Sequence, residues 1–195
     1  MWKHFVALGD SFTEGIGDEV EGAELKSWVA YFAQKYTPEL KYSNLAKRGL
    51  VTKEIRLKQL EKAIALQPDL VSLIAGANDI LKGRWNRNEY KNEMELMVDS
   101  LSKSGASIII ANLPDFTVRL PLPMEQKQLL KEQLLEANEV IQSLSNEYKL
   151  YHIDCWNHPM ANDHTLWSKD LIHPNSRGYR EIAEMIFNRL TVNIK

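Results

Sequence analysis

Short apolar runs recur along the chain at Phe5–Leu8, Tyr42–Leu45, Leu70–Ala75, Ser107–Ala111 and Leu150–Ile153, and a longer stretch with helical spacing follows each. Runs this short and this apolar suit strands buried on both faces, the pattern of a parallel sheet. The intervening stretches place apolar side chains about one helical turn apart. Trp28, Tyr31, Phe32, Lys35 and Tyr36 suit a first helix, and Ile55, Leu57, Leu60 and Ile64 a second. Met94, Met97, Val98 and Leu101 suit a third, and Leu129, Leu130, Leu134, Val140, Ile141 and Leu144 a long fourth. Ile182, Ala183, Ile186, Phe187 and Leu190 suit the last. Strand–helix alternation implies an α/β fold: parallel strands joined by right-handed crossovers, with helices on both faces. In such a sheet ligands bind beyond the carboxyl ends of the strands.

A chain of 195 residues fits one domain spanning residues 1–195. With 44% hydrophobic and 26% charged residues it is neither disordered nor low in complexity. A formal net charge of -2 leaves no electrostatic footprint for nucleic acid or an anionic membrane. The one cysteine, Cys155, has no partner for an intramolecular disulfide, so nothing marks an oxidising compartment. No internal repeat or Ser/Gly or Pro linker divides the chain. The run Phe5–Leu8 is too short for a signal-peptide core, and no later stretch approaches the ~20 apolar residues of a membrane span. The expectation is a cytoplasmic protein with no stable membrane insertion; nothing in the sequence sets its oligomeric state.

The strand ends carry the chemistry. After the first run comes Gly9-Asp10-Ser11-Phe12-Thr13-Glu14-Gly15, a serine on a tight turn whose glycines permit a sharp path and close approach. At a helix start, Ser11 would have free backbone N–H groups beside it, suited to a developing oxyanion; Asp10 and Ser11 read equally well as a plain turn and cap. After the second run Gly49 offers a backbone N–H or is an ordinary loop glycine. After the third, Gly76-Ala77-Asn78-Asp79 places an amide donor at Asn78, with Asp79 as its positioning partner or a helix cap. Near the C-terminus, Asp170-Leu171-Ile172-His173 sets a carboxylate three residues before a histidine, where it can hold one ring nitrogen and present the other as a general base. Pro174 disfavours helix at His173 and puts the pair on a loop. Nucleophile, base, orienter and oxyanion donors are together the parts that acyl transfer requires.

These blocks, Gly9-Asp10-Ser11-Phe12, Gly49, Gly76-Ala77-Asn78-Asp79 and Asp170-Leu171-Ile172-His173, resemble in order the signature blocks of the GDSL, or SGNH, hydrolases, over about residues 5–190. Phe12 departs from the leucine of the eponymous motif, at a position usually given to apolar packing. The resemblance implies a flavodoxin-like three-layer α/β/α sandwich with a parallel five-stranded sheet. It implies esterase, lipase, thioesterase or deacetylase chemistry on a small-molecule acyl ester, without metal or cofactor. By position, Ser11 is then the nucleophile, His173 the base and Asp170 its orienter. The Ser11 and Gly49 backbone N–H groups and the Asn78 side chain form the oxyanion hole. The α/β-hydrolase family fits poorly, because Thr13 stands where its Gly-x-Ser-x-Gly elbow needs a second glycine.

Two other functions use the same residues: an acyltransferase on the same site, and a non-catalytic flavodoxin-like module holding a phosphate at a helix start. The second leaves Asn78 and the Asp170/His173 pair without a role, and no Gly-x-Gly-x-x-Gly or Walker pattern appears. His4, His152, His158 and His164 form no metal-ligand pattern with one another or with Cys155, which reads as packed. Trp2, Trp28 and Trp156 read as packing residues, whereas Trp85 and Trp167 lie near site segments as candidate pocket walls. The Pro-rich stretch Asn112–Met124 reads as either a substrate wall or a packed connection, and Lys47-Arg48 and the helix around Glu125–Glu136 as solvated faces.

Overall fold

The computed structural model describes residues 1–191. In chain order the regular elements are β1 (His4–Gly9), α1 (Ser11–Glu14), α2 (Trp28–Tyr36), β2 (Lys41–Asn44), α3 (Thr52–Ile55), a π turn (Arg56–Leu60), α4 (Glu61–Ala65), β3 (Leu70–Ile74), α5 (Ala77–Leu81), α6 (Arg87–Lys103), β4 (Ser107–Ala111), α7 (Met124–Tyr148), β5 (Tyr151–Ile153) and α8 (Ser176–Thr191).

β1 shows why the apolar runs are strands. Phe5 and Ala7 join one apolar cluster and Val6 and Leu8 the other, so alternate side chains serve opposite layers. β4 divides in the same way, with Ile108 and Ile110 on one side and Ile109 and Ala111 on the other. A strand covered on both faces has no polar side to show, which makes the run continuous. Every pairing is parallel, in the order β2-β1-β3-β4-β5. This is the flavodoxin-like order, with its switch point between β1 and β3. α2 and α8 pack on one face and on each other, through Trp28, Phe32, Tyr179, Ile182 and Ile186. α6 and α7 cover the other face, through Met94, Met97, Leu134 and Ile141. The α/β sandwich with a five-stranded parallel sheet is therefore as the sequence implies.

The second helix departs from its expected face. Leu57, placed by spacing in the buried stripe, is 63% exposed, while Gln59 is buried between Ile55 and Ala63. Leu57 stands two residues from Ile55, about half a turn round the helix, so it faces out when Ile55 faces in, whereas Gln59 and Ala63 follow Ile55 at four-residue steps on the inward face. Leu60 and Ile64 still pack partly against the core. In α7, Leu129 is likewise exposed, since its neighbour Leu130 takes the inward position.

Candidate active site

The end of β1 is built without freedom. A Cβ on Gly9 would stand 2.8 Å from both the Ile74 carbonyl oxygen and Thr13 Oγ1, so only glycine lets the strand pass β3 this closely. The buried Gln59 side chain grips the Gly9 backbone from both sides, accepting from its N–H at 2.9 Å and donating to its carbonyl at 2.9 Å. The next residue, Asp10, caps α1 by accepting from the Phe12 N–H, and Ser11 becomes the first residue of that helix.

Ser11 Oγ lies 2.7 Å from His173 Nε2, and His173 Nδ1 lies 2.6 Å from Asp170 Oδ2. The other Asp170 oxygen accepts from the backbone N–H groups of Ile172 and His173, at 3.0 and 2.9 Å. Burial pushes the Asp170 carboxyl up, but the bonds from the His173 ring and from these two backbone groups outweigh it and hold the carboxyl below its ordinary range. The loop thus presents an ionised Asp170 to the histidine, folded back across three residues.

Gly49 sits beside Ser11 in the left-handed conformation, with φ of 78°. Among the described residues neither the Ser11 nor the Gly49 backbone N–H has a protein acceptor. Asn78, at the second residue of α5, reaches the same place, but its amide nitrogen already donates to Asp10 Oδ2 and to the Leu50 carbonyl, each at 3.0 Å. Its positioning partner is therefore Asp10 rather than the neighbouring Asp79. Asp79 instead holds the start of α3, accepting from the Thr52 N–H and hydroxyl at 3.0 and 2.9 Å. Local turn chemistry made Asp79 the nearer candidate; the tertiary contact across the switch point decides otherwise.

A cleft of about 290 Å³ opens beside Ser11 and His173. Ile74, Leu81, Leu113, Pro114, Phe116 and Ile172 give it apolar walls, and Arg48 and Lys82 are its cations. Arg48 is thus part of the cleft rather than merely a solvated face, while Lys47 pairs with Glu14 at 2.6 Å. The stretch Asn112–Met124 divides: Asn112 through Pro114 and Phe116 line the cleft, and Leu120 and Leu122 pack against the core. Cys155 also borders the cleft, and burial pushes its thiol up to about 12. Neither proposed tryptophan lines this cleft, although Trp167 borders a small pocket beside it with Phe12, Pro114 and Cys155. Trp85 packs on Tyr90 and donates to Glu136 at 2.7 Å, and Trp167 is buried, donating to the Met160 carbonyl at 2.9 Å. Among the described residues no group of three or more His, Cys, Asp or Glu side chains is placed to hold a metal ion, and no helix is long and apolar enough to cross a membrane.

Gln59, Arg48, Lys82 and the buried Arg119 were not distinguished as site residues by the sequence pattern. Gln59 leaves a trace there, a polar side chain at four-residue spacing between Ile55 and Ala63. Arg119 leaves another, a lone charge in the apolar string Val118-Arg119-Leu120-Pro121. The cleft cations leave none, since exposed basic residues are common.

The fold is shared with solved enzymes of low sequence identity. A lipase/acylhydrolase from Enterococcus faecalis superposes with a TM-score of 0.76 at 20% identity, covering 98% of this chain and 96% of that one. An acetyl xylan esterase from Geobacillus stearothermophilus, in a W215I form, gives 0.71 at 19% identity, covering 96% and 94%. A psychrotrophic esterase from Pseudoalteromonas sp., inhibited by monoethylphosphonate, gives 0.72 at 15% identity, covering 98% of each chain. No curated protein sequence is significantly similar to this chain. The model of the GDSL-like lipase/acylhydrolase family matches residues 7–181, nearly the whole of the sheet and every strand end that bears a site residue, and the chain belongs to that family of carboxylic ester hydrolases.

Proposed function

We propose that the protein cleaves carboxylic esters through an acyl-enzyme on Ser11, with His173 as general base and acid and Asp170 as the residue that orients it, in one domain with one site. The observation that carries this reading is the unbroken relay from Asp170 Oδ2 to His173 Nδ1 at 2.6 Å and from His173 Nε2 to Ser11 Oγ at 2.7 Å, at the lip of an apolar cleft. An ionised Asp170 keeps the proton on Nδ1 and leaves Nε2 to accept the serine proton. As Ser11 attacks the ester carbonyl, the developing oxyanion turns to the Ser11 and Gly49 N–H groups, which have no other acceptor among the described residues. Asn78 joins them by sharing the hydrogen it gives to the Leu50 carbonyl. His173 then protonates the leaving alcohol, and water repeats the sequence on the acyl-enzyme. The apolar walls suit the hydrocarbon part of an acyl group.

The test is labelling with a fluorophosphonate alongside hydrolysis of p-nitrophenyl acetate. The wild type should be labelled at Ser11, and Ser11→Ala should lose both labelling and turnover, the latter by about 10³-fold or more. Undiminished hydrolysis by a folded Ser11→Ala protein would overturn the assignment. A series of p-nitrophenyl esters of rising acyl length then reads how much chain the cleft accepts.

A further inference from the structure

We propose that Arg119 is a positioning residue for ester cleavage, holding from beneath the loop that carries Asp170 and His173 and tying it to the wall of the acyl cleft. This rests on the serine-hydrolase reading above.

Arg119 is 5% exposed and donates through Nε to the Leu171 carbonyl at 3.2 Å and through Nη1 to the Ala161 carbonyl. Its guanidinium carbon lies over the Trp167 ring, 3.5 Å from the ring centroid. Among the described residues it makes no salt bridge: Asp115, the acid nearest in sequence, engages Thr117 and Lys131 instead. Nη2 has no hydrogen-bond partner at all. Burial accordingly lowers this guanidinium to about 10, with Asp115 offsetting only part of the effect. A buried cation without a carboxylate is costly, and packing alone would be better served by an apolar side chain of similar size. Something other than packing is being met by its two hydrogen bonds.

Leu171 identifies it. This residue stands between Asp170 and His173 with φ of 60°, a left-handed conformation that a branched side chain resists and that survives only where its surroundings impose it. Its N–H is held by the Ser168 carbonyl at 2.9 Å and its own carbonyl by Arg119, so the strained peptide is fixed on both sides. The reversal at Leu171 is what brings the Asp170 carboxylate back onto the His173 ring three residues later. Arg119 also closes the short 3₁₀ turn Phe116–Val118, whose first residue lines the cleft. One residue therefore joins the cleft wall, through its backbone N–H at Phe116, to the Asp170–His173 loop, through its side chain at Leu171.

Two variants test this, Arg119→Met and Arg119→Lys, read by kcat and KM on p-nitrophenyl acetate, by the rate and final extent of fluorophosphonate labelling, and by thermal melting. Arg119→Met should fold, label to the same final extent, and lose about 10²-fold in kcat and in labelling rate with little change in KM, as misplacement of a catalytic base does. Arg119→Lys, which keeps the charge but lacks the fork that reaches both carbonyls, should lose less. A folded Arg119→Met with wild-type kcat would overturn the proposal. So would a loss matched by a lower labelled fraction, which means missing folded sites rather than slower ones. Arg119→Met that fails to fold beside Arg119→Lys that turns over like wild type assigns a structural role and also overturns it. Wild-type hydrolysis and its loss in Ser11→Ala, measured in the same assay, separate failure of this inference from failure of the triad reading.

Discussion

Burial pushes the Asp10 carboxyl up to about 6, even though the Phe12 N–H, the His173 ring and the Asn78 amide all draw it down. A carboxyl raised in the folded state binds its proton more tightly there than in the unfolded chain. Its stabilising contribution is complete below the ordinary carboxylate range, near pH 4, and is lost as pH rises through about 6, a cost on the order of 3 kcal/mol at neutral pH. The ionised form is nevertheless the one that can accept from Phe12 and from Asn78 at once. Asp10→Asn should therefore melt with less dependence on pH between 4 and 7 than the wild type. It should also lose turnover, by less than the ~10²–10³ that removal of an oxyanion donor costs, because an amide donor then faces the Asn78 amide. Unchanged kcat in that variant would show that Asn78 is held by the Leu50 carbonyl alone. Convergence of Ser11, Asp170 and His173 was readable in the sequence because strand ends of a parallel sheet share one edge and the last two lie three residues apart. The tie between Asp10 and Asn78 was not, because nothing local marks a bond across 68 residues.

At the scale of elements, the four-residue spacing of Ile55, Gln59 and Ala63 decides which side of the helix the core receives. It puts Gln59, rather than Leu57, beneath the first strand, where the side chain clamps Gly9. Following apolar identity alone picked Leu57, because a polar glutamine reads as solvent-facing; the element was legible and this one face was not. Leu57→Gln should then shift stability by no more than about 0.5 kcal/mol, as exposed substitutions do. Ile55→Ala, two residues away and fully buried, should cost about 2–5 kcal/mol. Urea denaturation of both variants checks the pair; equal losses would mean that the stripe runs through Leu57 after all. The same limit applies to Asn112–Met124, where composition suggested either a wall or a packed connection. Its residues do both by turns, a division set by what lies across from each.

For the molecule as a whole, the alternation of apolar runs and helical stretches carried the parallel sheet and its two helical layers, because burial on both faces writes itself into the inner strands β1, β3 and β4, while the edge strand β2 leaves Tyr42 exposed. Strand order did not follow from it: β1 sits in the middle and β2 outside it, an arrangement that composition of the runs does not encode. The sheet brings together at one edge two residues that the proposed mechanism pairs and the chain keeps far apart. Ser11 and His173 touch across 162 residues, and the strands β2 to β5 are laid down between them. Contacts that close so long a loop form late. On refolding from urea, hydrolysis should return after tryptophan fluorescence has largely recovered; simultaneous recovery would refute this order of events. Under the proposed mechanism, a growing or half-folded chain carries a serine with nothing to take its proton, and such a chain stays chemically silent until its fold is complete.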